Sequence, residues 1–462
     1  MTASSSLARL RDIARGTGTP ATGSGNASGG APLDQAPAAN RPELSYEPVD
    51  DDGLPIDPRL APADGLEAGI PGARLEHGAH GPCLVVDHLF EGDRSHGRIR
   101  VEECGAVRLD ETLDLLAGRP LRGTPSPDAP HGPPKRLVYF DLETTGLSGG
   151  AGMVAFLAGV GEWTPDGFRT TQFLLPSFAA ERALLHALNA YLGDDAVLVT
   201  YNGRTFDVPV MELRGEMQRV PQVVCALPHL DMLHAARRLW RMSEQGDRSC
   251  KLTHLEESVL GVGRVGDVGG FEIPARFFQF VRGGRADLLE PVLLHNRLDL
   301  LSLAALTAHA QRLVCEGRAA PPANATAFGL GALYERGGWF EPAVACFRAA
   351  ADDHWQTHEV RRAAARSLGR LLRRLRRFEE AAEAWHILLR LGGRPQLLRE
   401  AREALAIHHE HRAGQLEEAR RHAVAGVAQA IGSGEREQFG RRLARLERKL
   451  ARATPETTLW TD

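Results

Sequence analysis

The stretch "VYFDLETTGL" at residues 138–147 places two carboxylates, Asp141 and Glu143, one residue apart at the end of an apolar run. The apolar residues Val138–Phe140 predict the closing part of a buried strand. A strand period of two directs both acids to the same side. Two like charges held there repel each other unless a cation binds or one of them is protonated. The stretch therefore predicts a strand end that receives a cation.

Composition predicts a soluble cytoplasmic protein. The chain has 462 residues, of which 43% are hydrophobic and 25% charged, as in ordinary globular proteins of two or three domains. Its six cysteines form no CxxC pair, which argues against a zinc site and a disulfide framework and fits a reducing cytoplasm. No apolar run approaches the roughly 18–20 residues of a membrane span, and the N-terminus lacks a signal-peptide core. We therefore expect no membrane partner.

Charge is unevenly distributed along the chain. From Arg361 to Asp462 there are 22 Lys and Arg residues against 13 Asp and Glu, a net charge of +9. Because the whole chain carries −4, the remaining 360 residues carry −13. A basic arm of this kind permits contact with nucleic acid. Solvated faces of Arg-rich helices also explain this charge, so net charge does not distinguish between the two interpretations.

The pattern along the chain predicts four segments. Residues 1–75 are rich in Ala, Gly, Pro, Ser and Thr and are predicted to be disordered. Residues 76–134 are predicted as a small β-rich lead-in and a Pro-rich linker. From 135 to 315, a hairpin with a Pro-Asp-Gly turn, strand–helix alternation and a long final helix predict an α/β sandwich with a mixed sheet.

The fourth segment, residues 323–455, is predicted to be all-helical and repetitive. The strings "GGWFEPAVACF", "RRFEEAAEAW" and "AGQLEEARRH" share an apolar residue, an acid and then Ala. These alanines are Ala343, Ala381 and Ala419, two intervals of 38 residues. The period resembles a slightly long tetratricopeptide (TPR) repeat, whose period is near 34 residues. Such repeats predict either a groove for a protein or nucleic-acid partner or a stabilising appendage.

Two further motifs carry acids. In "TYNGRTFDVPV" at 200–210, Asn202 and Asp207 lie where a strand turns into a helix, so Asp207 is either a functional acid or an N-cap. Asn202 either binds substrate or fixes the turn. In "HNRLDLLSL" at 295–303, His295 and Asp299 are four residues apart and share a helix face. On its own, this pair is also compatible with a solvent-facing surface.

In this order, the three motifs resemble the DEDD superfamily of exonucleases, which has a ribonuclease-H-like fold. The match spans about 135–312 and rests on an Asp-x-Glu strand, an Asn-x₃-Phe-Asp segment and a final helix with His before Asp. The fuller strings "DLETTGLSGGAG", "YNGRTFD" and "HNRLDLLSL", with the helical tail, look most like the YprB-type branch. The resemblance implies a ribonuclease-H-like mixed sheet flanked by helices, followed by a C-terminal all-α TPR-like domain.

The resemblance also implies a site and a cofactor. Two Mg²⁺ or Mn²⁺ ions are expected, with Asp141 bridging both, Glu143 and Asp299 completing the water-activating site, and Asp207 acting on the second ion through water. His295 is expected to orient and deprotonate the attacking water. The residues expected to contact the substrate are Thr144, Thr145, Leu147 and Asn202. One departure is the spacing, because the family's histidine branch places His five positions before the last Asp, and here it is four.

Two functions follow as hypotheses. The first is a metal-dependent nuclease that trims DNA or RNA from a single-stranded 3′ end. The second is a slow or inactive nuclease domain in a scaffold that works through its helical repeats. Softer features fit the first: Asp231 and His229 as supporting or merely capping residues, and four basic residues near phosphates or on a solvated helix face. The four basic residues are Arg237, Arg238, Arg241 and Lys251.

Overall fold

The computed structural model describes residues 69–121, 136–146, 152–242, 249–283, 285–324 and 326–453. Most of the predicted disordered segment (1–68), the Pro-rich stretch 123–134 and Leu147 lie outside these ranges. Within them, no helix has both the length and the apolar character needed to cross a membrane.

The strands form one large mixed sheet. They are β1 (Ala73–Gly78), β2 (Gly81–Glu91), β5 (Arg136–Thr144), β6 (Ala155–Thr164), β7 (Gly167–Leu174), β8 (Ala196–Thr200) and β9 (His229–Asp231), with a separate two-stranded pair of β3 (Ser95–His96) and β4 (Ile99–Arg100). The order in the large sheet is β1-β2-β7-β6-β5-β8-β9. Strands β5, β8 and β9 are parallel, and the other pairs are antiparallel. The predicted hairpin turn is confirmed, because Thr164 pairs with Gly167.

The first two strands differ from the predicted lead-in. Strands β1 and β2 extend the same sheet beyond β7, and β1 begins at Ala73, inside the segment 1–75 that was predicted to be disordered. The reason lies in the apolar run Cys83–Val86 of β2, all four residues of which are buried. Such a run fits a strand with neighbours on both sides and cover on both faces.

Helices cover the sheet. They are α1 (Glu111–Ala117), α2 (Glu181–Leu192), α3 (Asp207–Gln218), α4 (Met232–Leu239), α5 (Leu252–Leu255), α6 (Ile273–Gly283) and α7 (Glu290–Ala319). Helix α2 packs against β2 and β7, and the 30-residue α7 packs against β5 and β6. The apolar core continues from α7 into the following helices, where the Tyr334 hydroxyl donates to the Val314 carbonyl at 2.7 Å.

The rest of the described chain is helical. It comprises α8 (Thr326–Arg336), α9 (Phe340–Asp352), α10 (His358–Arg374), α11 (Phe378–Leu391), α12 (Pro395–His411), α13 (Leu416–Gln429) and α14 (Ser433–Ala453), each packed on the next. The predicted architecture, a mixed sheet flanked by helices and then an all-helical region, is confirmed.

The 38-residue interval recurs in the packing. Gly331 and Gly369 lie one interval apart, and a Cβ added to either would come within 2.6 Å of the Phe347 ring or 2.7 Å of the Trp385 ring, respectively. These two aromatic residues are also one interval apart. Each glycine therefore lets a large ring from the next helix approach closely. The identification of these helices as TPR-like stays a prediction.

Candidate active site

The carboxyl end of β5 delivers two acids to one face of the sheet. Tyr139 belongs to the core that includes the part of α7 from Leu300 to Val314, whereas Phe140 belongs to the core that includes α2. Because strand side chains alternate, Asp141 and Glu143 point to the same side as Tyr139, toward α7. Both side chains are partly buried.

Two more acids come from helices. Asp207 is buried at the first position of α3, and its carboxylate accepts a hydrogen bond from the backbone N–H of Leu142 in β5. Asp299 lies on α7 and interacts electrostatically with both Asp141 and Glu143. The structure therefore brings together the four acids that the sequence motifs singled out.

The pKa values of three of the four acids are raised. Burial, followed by the charges of Asp299, Glu143 and Asp207, raises the pKa of Asp141 well above its ordinary value. Burial and the charges of Asp299 and Asp207 do the same to the pKa of Glu143. Burial chiefly raises the pKa of Asp207 to about 7. Raised pKa values of this kind are expected where several carboxylates lie close together with too little positive charge around them.

One of the four acids has an arginine partner. Arg264, which sequence reasoning missed, has a side chain that is only 8% exposed and forms ion pairs with Asp299, Glu256 and Asp267, the last at 3.0 Å. Among the described residues, no ion pair reaches Asp141, Glu143 or Asp207. Arg264 lies in a glycine-rich loop with neither strand nor helix periodicity, so the sequence carried little signal for it.

An imidazole is held between two acids. His295 Nδ1 lies 2.9 and 3.0 Å from the two carboxylate oxygens of Asp267, and its Nε2 lies 3.7 Å from Asp299 Oδ2. Burial raises the pKa of Asp267, but the hydrogen bond and charge of His295 and the charge of Arg264 outweigh it, and this pKa ends below its ordinary value. Because Asp267 accepts the Nδ1 hydrogen, the lone pair of neutral His295 is on Nε2, on the Asp299 side.

A buried amide pair fixes Asp141. Asn296 Nδ2 donates to Asp141 Oδ2 at 2.8 Å, and Gln172 Nε2 donates to Asn296 Oδ1 at 2.8 Å. A Cβ at position 159 would lie 2.1 Å from Asn296 Oδ1, so Gly159 makes room for this amide. Sequence reasoning missed both residues. The available signal was the polar Gln172 inside the buried strand "TTQFLL".

The residues predicted to contact substrate lie around the acids. Thr144 Oγ1 donates to the Gly146 carbonyl at 2.7 Å, and Thr145 Oγ1 accepts from the Val154 N–H at 3.0 Å, so both hydroxyls hold the turn after β5. Asn202 is exposed at the end of β8, with a φ of 68° and its Oδ1 accepting from Thr205 Oγ1 at 2.6 Å. Leu147 falls outside the described residues.

A basic cleft adjoins the turn after β8. It has a volume of about 700 Å³, and its lining includes Asn202, Arg237, Arg241 and Lys251. The three cations are exposed, and none forms an ion pair with a described residue. Arg238, the fourth basic residue singled out, instead donates to the Leu116 carbonyl at 3.3 Å.

Asp231 and His229 are used structurally. The Asp231 carboxylate accepts from the backbone N–H groups of Asn202 at 2.9 Å, Arg204 at 3.2 Å and Leu233 at 3.1 Å, which caps α4 and fixes the turn after β8. His229 Nε2 lies 2.7 Å from Thr200 Oγ1. Two roles were predicted for these residues, support of the site or capping, and the contacts match capping.

Comparison with known proteins identifies the class. A family model described as RNase_H superfamily matches residues 138–311, which run from within β5 into α7 and include all four acids. The fold and the match together indicate a domain like those of the RNase H superfamily, and such a domain supports nuclease-type phosphodiester hydrolysis of nucleic acid.

One relative identifies the family to which the chain belongs. The chain is 32% identical over 372 residues to "Uncharacterized protein YprB" of Bacillus subtilis (strain 168), covering 79% of this chain and 86% of that protein. The chain therefore belongs to the YprB family. A family B DNA polymerase from Pyrobaculum calidifontis matches 47% of this chain and 30% of the polymerase chain at 15% identity, with a TM-score of 0.31, a likeness too distant to carry an argument.

Proposed function

We propose that the protein is a divalent-metal-dependent 3′–5′ exonuclease that hydrolyses DNA or RNA. The observation that carries the proposal is the group of acids at the end of β5. Asp141, Glu143 and Asp207 have raised pKa values and no ion pair with a described cation, while Asp299 has one. The direction of hydrolysis rests on the family resemblance.

The donor set fits magnesium-class ions. Carboxylate oxygens are the ligands that Mg²⁺ and Mn²⁺ prefer. Asp141, Glu143, Asp207 and Asp299 would hold two such ions. When bound, these ions supply an activated water and neutralise charge that develops on the phosphoryl group.

The protein's own residues prepare this chemistry. Asn296 holds the Asp141 carboxylate in place through the 2.8 Å hydrogen bond. His295 takes the proton of the attacking water at Nε2, and Asp267 keeps the imidazole in that orientation. Asn202 and the basic cleft bind the phosphates of the strand. Thr144 and Thr145 of the turn after β5, together with Leu147, contact its 3′ nucleotide.

The test is cleavage of end-labelled oligonucleotides. The purified full chain is incubated with single-stranded DNA and RNA, labelled at either end, with Mg²⁺, Mn²⁺ or chelator. A metal-dependent ladder that shortens from the 3′ end supports the proposal. If no substrate is cleaved with either metal, the second candidate is favoured: a scaffold that works through its 38-residue helical repeats.

Asp267 is expected to act through His295. Asp267→Asn can no longer accept the Nδ1 hydrogen with a negative charge, so we expect kcat to fall about 10- to 100-fold with KM little changed. Asp267→Glu should recover part of the loss. Initial rates over a pH series measure this, with the exposed Glu257→Gln as control. Equal rates for Asp267→Asn and the control would contradict the positioning role.

The basic cleft is expected to contribute phosphate contacts. Replacing Arg241 and Lys251 by Gln should weaken binding of single strands of any sequence. The slope of log affinity against log salt should become shallower by about 1.4, because each phosphate contact contributes about 0.7 to its magnitude. Fluorescence anisotropy in an Asp141→Asn background measures binding without cleavage. Arg238→Gln, which changes an arginine outside the cleft, should keep the parent slope. An unchanged slope in the double variant would contradict the assignment.

A further inference from the structure

Three histidines from successive helices converge far from the acids in sequence. His386 of α11, His409 of α12 and His422 of α13 each offer one ring nitrogen, and these nitrogens all lie within 4.8 Å of one another. The ring centroids are 6.0, 5.8 and 5.5 Å apart, and the rings of His409 and His422 are stacked. No cysteine takes part, which is why a cysteine count gave no hint of this group.

Two of the ring nitrogens are buried without a partner. His409 Nε2 and His422 Nδ1 have no hydrogen bond, although each residue is only 9% exposed. The other nitrogen of His409, Nδ1, lies 2.9 Å from Gln415 Oε1. Since an amide oxygen only accepts, Nδ1 carries the hydrogen and Nε2 keeps its lone pair. Burying a polar atom unpaired is costly, so these nitrogens indicate a missing partner.

Burial favours the neutral form of two of the three imidazoles. Burial, then the neighbouring His409 and His386, lowers the pKa of His422 to about 4. Burial also lowers the pKa of His386, with His409 and Arg390 as further causes. At neutral pH these two rings therefore present a lone pair rather than a charge. A water molecule can pair with one such nitrogen, but three converging ring nitrogens match a Lewis acid better.

We propose that His386, His409 and His422 form a zinc site that joins α11, α12 and α13. Three imidazoles with no carboxylate suit Zn²⁺ and similar transition ions, and they do not suit Mg²⁺ or Ca²⁺. Tetrahedral Zn–N bonds of about 2.0–2.1 Å place ligand nitrogens about 3.3 Å apart, so the rings need to close by about 1.5 Å at most. Gln415 orients His409 in the manner of an outer partner of a metal-binding histidine.

The proposed zinc has a structural role. Helices α11 to α13 span two consecutive 38-residue repeats, and repeats of this kind contact only their nearest neighbours. One ion bound to all three would couple these repeats in unfolding. The half-buried His386 provides the entry side, and the fourth coordination position is left for water or another ligand.

The test is zinc binding by the full chain. Asp141→Asn and Asp299→Asn are introduced so that the acids near β5 do not bind the metal. This protein is stripped of metal with chelator and titrated with ZnCl₂ in a calorimeter. We expect one zinc per chain and a higher melting temperature on binding. Adding His422→Gln or, separately, His386→Gln should weaken binding at least tenfold and remove the thermal shift.

The control is His358→Gln, which changes an exposed histidine at the start of α10 and should leave binding unchanged. Far-UV circular dichroism checks that each variant is folded, and because His386 is only half-buried, His386→Gln disturbs the core less than His422→Gln. Absence of zinc binding by the folded parent would overturn the proposal. So would equal affinity in the parent and both ligand variants.

Discussion

Replacing Asp141 by Asn is expected to lower the rate of metal-dependent cleavage at least about 10³-fold, which is about 4 kcal/mol of transition-state stabilisation. The Asp141 carboxylate interacts electrostatically with Glu143, Asp207 and Asp299. It is one of the four acids that would hold the ions. An amide is a neutral and much weaker ligand for Mg²⁺ or Mn²⁺. Initial rates on end-labelled single strands, at saturating metal, measure the loss.

The same substitution should stabilise the metal-free protein. The amide that replaces the carboxylate removes one negative charge from the group and still offers an oxygen to Asn296. We expect a melting temperature higher by about 1–2 °C, the shift that roughly 1 kcal/mol produces in a protein of this size. Mg²⁺ should raise the melting temperature of the parent and have little effect on the variant.

The sign of the pH dependence follows from the raised pKa values. Acids whose folded pKa lies above the unfolded value bind protons more tightly when folded. The stability that this gives is fully present below about pH 4 and is lost as pH rises through the folded pKa, about 7 for Asp207. The advantage of Asp141→Asn should therefore be smallest near pH 4 and grow as pH rises through the raised pKa of Asp141.

Asp231→Asn is unsuitable as the comparison, because this carboxylate caps α4. The exposed Glu257→Gln provides the matched change and should alter neither rate nor melting temperature. Full activity of Asp141→Asn with Mg²⁺ or Mn²⁺ would contradict the proposed site. A melting temperature that falls with no loss of rate would contradict the electrostatic account.

Short-range periodicity made the acids predictable. A strand period of two places Asp141 and Glu143 on one face, and a spacing of four places His295 and Asp299 on one helix face. The order of strands and helices then sufficed for a mixed sheet covered by helices. These inferences need only local geometry and the rule that apolar faces are buried.

Contacts between irregular segments were beyond the sequence. Arg264 and Asp267 lie 35 and 28 residues from their partners on α7, in a glycine-rich loop whose path no periodicity encodes. Asn296 follows His295 directly, but only the position of the sheet shows that it reaches Asp141. The histidines of α11 to α13 are equally hidden, because they meet only when successive repeats stack.

Replacing Glu410 by Gln is the change with the largest expected effect on the helical region. The Glu410 side chain, on α12, has no exposed surface and accepts hydrogen bonds from three cations of α14. The nitrogen–oxygen distances are 3.3 Å for Arg442, 2.7 Å for Arg445 and 2.9 Å for Lys449. An amide leaves three neighbouring cations without their anion.

We expect a loss of about 2–3 kcal/mol in the free energy of unfolding of this region. Removing one partner of a buried pair costs about 3–5 kcal/mol, and the value is reduced because Arg445 and Lys449 are 43% and 40% exposed. Glu437→Gln on α14 is the control. Its pair with Arg441 is exposed on both sides, so we expect a change below about 0.5 kcal/mol.

The pH dependence identifies Glu410 as the cause. Hydrogen bonds from Arg445, opposed by burial and joined by those from Lys449, lower the pKa of Glu410 to about 2. An acid with a lowered folded pKa gives stability that is present above its ordinary pKa, about 4.5, and is lost as pH falls toward 2. The difference between parent and Glu410→Gln should therefore be full at pH 7 and decrease below pH 4.5. Hydrogen exchange of α14 amides measures it locally, and equal protection of Glu410→Gln and Glu437→Gln at pH 7 would show that this cluster does not hold α14 on α12.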